Sequence, residues 1–129
     1  MTWYDFKYFV KSLFWSRTYR FLWQKITRGW DDSVTWNFDA RMAEWILPRL
    51  KRFKELNNGY PGDLTWERWN EILDEMIWAF EYIANDGENR IFTDDPLTRE
   101  KEREEWNVAE KRVDDGLKLF GEYFRGLWW

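Results

Sequence analysis

Apolar positions recur along most of this chain at helical rather than strand spacing. Phe6, Phe9, Val10, Leu13 and Phe14 fall at the three- and four-residue steps that place side chains on one helical face. The pattern resumes at Phe21, Leu22 and Ile26, and Gly29 then stands where a helix C-cap is expected. This predicts a first helix over about residues 3–28, bent near Ser16–Thr18. Asp31, Asp32 and Ser33 are cap-type residues that open a second helix, whose stripe is Met42, Trp45, Ile46, Leu50, Phe53 and Leu56. Pro48 lies inside that stripe. It lacks an amide donor, so it is expected to kink the helix or restart it one turn later.

Asn57-Asn58-Gly59 closes the second helix, and Tyr60-Pro61-Gly62-Asp63 is a turn signal. Thr65 then caps a third helix with the stripe Trp69, Ile72, Leu73, Met76, Ile77, Phe80, Ile83 and Ala84. Residues 85–95 form the longest irregular connection. Asp95 caps the fourth helix and Pro96 takes its first position. Its stripe is Trp106, Ala109, Val113, Leu117, Phe120, Phe124 and Leu127. Gly116, Gly121 and Gly126 recur every five residues there. Five steps do not return to one face, so no shared close-packing seam is expected, although each glycine leaves room for a bulky neighbour. The fold class is all-α: a compact bundle of four principal helices in a single domain over 1–129, with the second helix kinked at Pro48.

Composition changes this picture in two ways. The chain carries 12 Trp, 10 Phe and 6 Tyr. Each buried aromatic removes roughly 150–250 Å² from water, so a stable core does not require every ring inside. It also has no Cys and no His. That excludes disulfides, thiolate chemistry, His-based triads and the usual zinc sites. Only carboxylates with a divalent ion, or Lys and Tyr, are left for catalysis. No uncharged run reaches the ~20 residues of a membrane span, and MTWYDFKYFVK lacks the apolar centre of a signal peptide. A soluble intracellular protein is the expectation.

The net charge of −4 hides a segregation. Residues 1–30 hold six Lys and Arg against Asp5, whereas residues 61–95 hold ten acids against Arg68 and Arg90. Such an arrangement either steers an anionic ligand or lets the two segments neutralise each other.

RGWDDSVTWNFDARMAEWILPRL, NNGYPGDLTWERWNEILDEMIWAFEYI and GLKLFGEYFRGLWW together resemble a group of small, largely uncharacterised proteins of tailed bacteriophages and prophages. Arg28, Gly29, Trp30, Asp32, Trp36, Asp39, Gly59, Tyr60, Pro61, Thr65, Trp69, Met76, Phe80 and the 116–129 tail carry the likeness. The resemblance implies a setting, the bacterial host cytoplasm, and no catalytic set.

Four constellations hold candidate chemistry. Trp30 and Trp36 can stack a base, with Arg17, Arg20, Lys25, Arg28 and Arg41 for phosphates and Asp32 and Asp39 for ribose hydroxyls or an amine. The alternative is a helix–helix corner in which Trp36 and Phe38 are core and Arg28 pairs with Asp32 or Asp39. Tyr60-Pro61-Gly62 with Trp66 and Trp69 forms a ligand lip or a hydrophobic staple over the turn. Glu67, Glu71, Asp74, Glu75 and Glu81 form a solvated face or a Mg²⁺ site for nucleotide hydrolysis through Glu71 and Asp74. The basic aromatic first helix and the FRGLWW tail are core plus oligomer seam, or a membrane-surface element.

The reading that joins these is a non-enzymatic phage protein that sequesters a small nucleotide-type host immune signal. Its ligand residues are Arg17, Arg20, Arg28, Trp30, Asp32, Trp36, Asp39, Arg41, Tyr60 and Trp66, with no cofactor or metal, and homo-oligomerisation is expected but no DNA or membrane partner. The alternatives are a protein–protein inhibitor or virion-associated protein that docks through its aromatic tail, and the Mg²⁺-dependent hydrolase.

Overall fold

The computed structural model describes residues 2–15, 17–85 and 92–128. Ser16, where the first-helix bend is expected, and most of the 85–95 connection lie outside the described residues. The described chain is all-helical, with five α-helices and two short 3₁₀ turns. It divides into two compact units, Met1–Phe38 and Asp39–Trp129.

The first unit holds α1 (Trp3–Trp15), α2 (Arg17–Arg28) and a 3₁₀ turn at Asp32–Thr35. Helix is described on both sides of Ser16, over the range expected for the single first helix, so five helical segments are described where four principal helices were expected. Gly29 ends α2 as anticipated: its φ of 87° is the left-handed conformation that suits glycine, and its amide donates to the Lys25 carbonyl at 2.9 Å. Asp31 is a cap, but of the 3₁₀ turn, through the Ser33 amide at 2.8 Å. The next α-helix starts only at Phe38, after Asn37 takes the left-handed φ of 46°. Among residues 2–10 and 17–38, Asp31 alone is buried. Phe6, Phe9, Leu22 and Ile26, expected as a core stripe, are exposed, and so are Trp36 and Phe38.

The second unit holds α3 (Phe38–Leu56, entering from the boundary), α4 (Trp66–Ala84) and α5 (Pro96–Tyr123), which ends in a 3₁₀ turn at Phe124–Gly126. Its core is Ala43, Leu50, Trp69, Ile72, Leu73, Met76, Phe80, Ile83 and Val113. The caps are those the sequence predicts. Thr65 accepts the Arg68 amide at 3.2 Å, and Asp95 accepts the Thr98 amide at 3.1 Å with Pro96 at the helix start. α3 does not restart at Pro48 but runs through it. Pro48 and Glu44, whose carbonyl loses its amide partner, are both exposed, so water can take that bond.

α4 and α5 cross at a close approach. A Cβ built on Gly116 would lie 2.6 Å from the Ala79 Cβ and 2.7 Å from the Glu75 carbonyl oxygen. The neighbours that need this glycine are thus a small residue and a backbone, not a bulky aromatic. Gly121 has nothing within 4 Å and Gly126 meets only Pro61 at 3.7 Å, so the glycines share no seam, as the five-residue spacing requires. Beside the crossing, Arg112 of α5 grips Glu75 of α4 with two hydrogen bonds of 3.0 Å and lies 4.0 Å over the Trp78 ring. Among the described residues, no helix is long and apolar enough to cross a membrane.

Candidate functional site

The predicted nucleotide residues fall into separate groups. Within the first unit, the Arg17 guanidinium lies 3.9 Å over the Trp36 ring, and Phe21 meets Trp36 edge-on at 5.7 Å. Arg20 lies 5.4 Å over the Phe21 ring. About two helical turns beyond Phe21, the Arg28 guanidinium lies 3.8 Å over Trp30. It donates to the Trp30 carbonyl at 3.0 Å and to Asp32 at 2.6 Å. Gln24 locks the same aspartate reciprocally: its amide donates to the Asp32 carboxylate at 2.7 Å, and its carbonyl accepts the Asp32 amide at 2.7 Å.

These contacts follow from local sequence. Arg17, Phe21, Gln24 and Arg28 lie on one face of α2 at helical spacing, and Gly29 turns the chain back so that Trp30, Asp32 and Trp36 cover that face. Both aspartates of the corner are held ionised. The Ser33 hydroxyl, aided by its amide and by Lys25 at 3.3 Å, holds Asp31 below the usual carboxylate range. Gln24, then Arg28, does the same for Asp32. The corner therefore meets its own electrostatic needs. The partner of Arg28 is Asp32.

The other predicted residues belong to the second unit. Asp39 is exposed in the first turn of α3, and Arg41 sits 3.5 Å from Glu44. Tyr60 and Trp66 meet edge-on with centroids 6.3 Å apart. Tyr60 also lines a cleft of about 310 Å³ with Asn57, Asn58, Gly59, Pro61, Gly126 and Trp128. The acidic face of α4 is engaged by cations: Asp74 by Lys54 at 2.5 Å, Glu71 by Arg68 at 3.2 Å, and Glu81 by Lys51 at 3.4 Å. Among the described residues, no three carboxylates converge as a metal site.

The feature that sequence reasoning did not single out is an apolar groove in the second unit. Met42, Trp45, Ile46, Phe53 and Leu56 of α3 form one wall, and Phe120, Phe124 and Leu127 at the end of α5 form the other, around about 600 Å³. Trp45 is 62% exposed and Phe124 59%. Arg49 and Arg52 stand on the α3 side, Arg49 4.0 Å over the Trp45 ring and donating to its carbonyl at 2.8 Å. The sequence signal was present but ambiguous. Met42, Ala43, Trp45, Ile46, Leu47, Leu50 and Phe53 cover far more of the α3 circumference than one buried face needs. The core takes Ala43, Ile46, Leu47 and Leu50, roughly a quarter-turn from the centre of the predicted stripe, and Met42 and Trp45 are left to the groove.

Comparison with protein-family models, characterised proteins and solved structures finds no match to this chain.

Proposed function

We propose that this chain works as a protein-binding module, and that its partner inserts an amphipathic helix into the groove between α3 and the end of α5. The observation that carries this is the exposure of large side chains along a continuous trough, with Trp45 and Phe124 on opposite walls. Helix-in-groove recognition uses such a trough, and aromatic anchors dominate the energetics of protein interfaces. Arg49 lies over the Trp45 ring and Arg52 pairs with Glu55 at 2.8 Å, so the α3 wall offers a partner apolar surface rather than free cations. A bend of α3 at Pro48 would shape this wall further. The resemblance to tailed-phage proteins supports a setting in which a small phage accessory protein inhibits a host protein or joins a virion complex through its aromatic tail.

The test is capture from bacterial lysate by the immobilised full chain. Trp45→Glu and Phe124→Glu disable the groove, and Trp23→Glu serves as a control on another surface. The proposal predicts a stoichiometric protein held by wild type and by the control but lost from both groove variants. A partner retained by the groove variants, or no partner at all, overturns it.

A second reading keeps the nucleotide-type ligand, sequestered as a host immune signal. It is supported by Trp30 and Trp36, two half-exposed indoles each backed by a guanidinium within 3.9 Å. A base stacked on their open faces would gain roughly 1–3 kcal/mol per ring. The neighbouring ionised Asp31 and Asp32 oppose an anionic phosphate, which is why the groove ranks first. Isothermal titration with cyclic dinucleotides and ADP-ribose-derived signals, repeated on Trp30→Ala, decides this reading: no heat from wild type eliminates it.

A further inference from the structure

We infer that the outer face of α2 rests on an anionic lipid surface and attaches the first unit to it peripherally. The inference goes beyond the groove, since it uses a different surface and a different class of partner.

α2 has one engaged side and, opposite it, an exposed apolar one. Arg17, Phe21, Gln24 and Arg28 face the corner residues that follow the helix. At about 100° per residue, Leu22, Trp23 and Ile26 fall together on the opposite side. They are exposed by 53%, 67% and 71%. Three large apolar side chains this open on one short helix form a patch of the kind that marks a binding surface.

Charge selects the occupant. α2 contains no acid. Arg20 lies about 60° beyond one edge of the apolar strip, where a long basic side chain reaches lipid headgroups while the strip enters the acyl boundary; Lys25, which also pairs with Asp31 at 3.3 Å, lies about as far beyond the other edge. The first unit carries six Lys and Arg against three Asp, within a protein of net charge −4. A second α2 would set basic flank against basic flank, so self-pairing through this face is opposed. An anionic headgroup layer supplies both the negative charge and the apolar depth. α1 extends the same character, with Trp3, Tyr4 and Phe6 exposed. Among the described residues no helix is long and apolar enough to cross a membrane, so α2 would lie in the plane of the surface.

The experiment is co-sedimentation of the full chain with vesicles of phosphatidylcholine alone and of equal parts phosphatidylcholine and phosphatidylglycerol. Binding to the anionic vesicles, released by raising salt, is expected, with little binding to the neutral ones. Arg20→Gln should weaken the anionic partition about five-fold. Trp23→Glu and, independently, Ile26→Asp should abolish it while the helical circular dichroism stays unchanged. Trp45→Glu should bind vesicles as wild type does, so loss of the groove function and loss of lipid binding are read separately. No binding to either vesicle overturns the inference. So do equal binding to both compositions, Trp23→Glu and Ile26→Asp binding like wild type, or a protein captured through Trp23 by a chain that ignores anionic vesicles.

Discussion

Gly116→Ala is the substitution on which the α4–α5 crossing makes its sharpest demand. Carbon atoms in contact sit about 3.5–4.0 Å apart. The new methyl group would lie 2.6 Å from the Ala79 Cβ and 2.7 Å from the Glu75 carbonyl oxygen. Neither atom is the end of a flexible side chain, so the helices themselves must separate by roughly 1 Å. That movement loosens the packing of Met76, Phe80 and Val113 and draws on the two 3.0 Å bonds between Arg112 and Glu75. Overpacking of this kind costs about 1–3 kcal/mol, and obstruction by backbone places it at the upper end. Alanine recovers about 1 kcal/mol through helix propensity, which leaves a net loss of about 2 kcal/mol. For a unit of this size that is a fall of about 10 °C in Tm.

Urea and thermal unfolding followed by far-UV circular dichroism measure both quantities. Gly121→Ala is the internal control. Gly121 is exposed in the same helix with nothing within 4 Å, so it should gain about 0.5–1 kcal/mol from propensity alone. Adding Ala79→Gly to Gly116→Ala should restore part of the loss, because it removes one of the two obstructing atoms and leaves the Glu75 carbonyl. A Gly116→Ala protein as stable as Gly121→Ala would refute the close crossing.

Three further outcomes are expected. Leu50→Ala, which empties a buried site facing α4, should cost about 2–5 kcal/mol in urea unfolding, whereas Trp45→Ala should change stability by about 0.5 kcal/mol or less while disabling the groove. Thr65→Ala removes the acceptor of the Arg68 amide and should cost about 1 kcal/mol, with Thr65→Ser close to wild type. The depressed pKa values of Asp31 and Asp32 mean that their contribution to the corner is complete above the unfolded carboxylate value of about 3.9 and is lost as pH falls through the lower folded values. The indole NMR signals of Trp30 and Trp36 should therefore hold their positions down to about pH 4 and move only below it. Asp31→Asn should blunt that transition, and movement well above pH 4 would contradict the assignment.

Helix positions in the second unit were legible because its stripes, caps and turns agree. α4 buries Trp69, Ile72, Leu73, Met76, Phe80 and Ile83 as its periodicity predicts, and Thr65 and Asp95 cap as their chemistry predicts. The first unit was less legible, for a physical reason. Periodicity reports that a helix has an apolar face, not that anything covers it. Phe6, Leu22 and Ile26 follow the helical rule and remain exposed. The Arg28–Asp32 pair was within reach of the sequence, since it joins residues four apart across a glycine turn. The Gln24 lock on Asp32 was not, because it depends on how Gly29 folds the chain back over α2.

The same distinction decides between the candidate sites. A residue type found in binding sites has meaning only if its bonds are still available. The guanidinium of Arg28 is spent on Asp32 and on the Trp30 face, and the acids of α4 are spent on Lys51, Lys54 and Arg68. These are the residues that looked most chemical in the sequence. The walls of the α3–α5 groove looked like core, yet their apolar surface is not consumed by the fold: Trp45 and Phe124 stay open beside a core already closed by Ala43, Leu50 and Val113. Burying the exposed remainder of two such aromatics against a partner removes on the order of 200 Å² of apolar surface from water, about 5 kcal/mol before the cost of association. No single polar contact of the corner offers a comparable gain, since a net hydrogen bond contributes about 1 kcal/mol. The surplus of exposed aromatic surface is thus the strongest physical support for the proposal that the chain binds a partner.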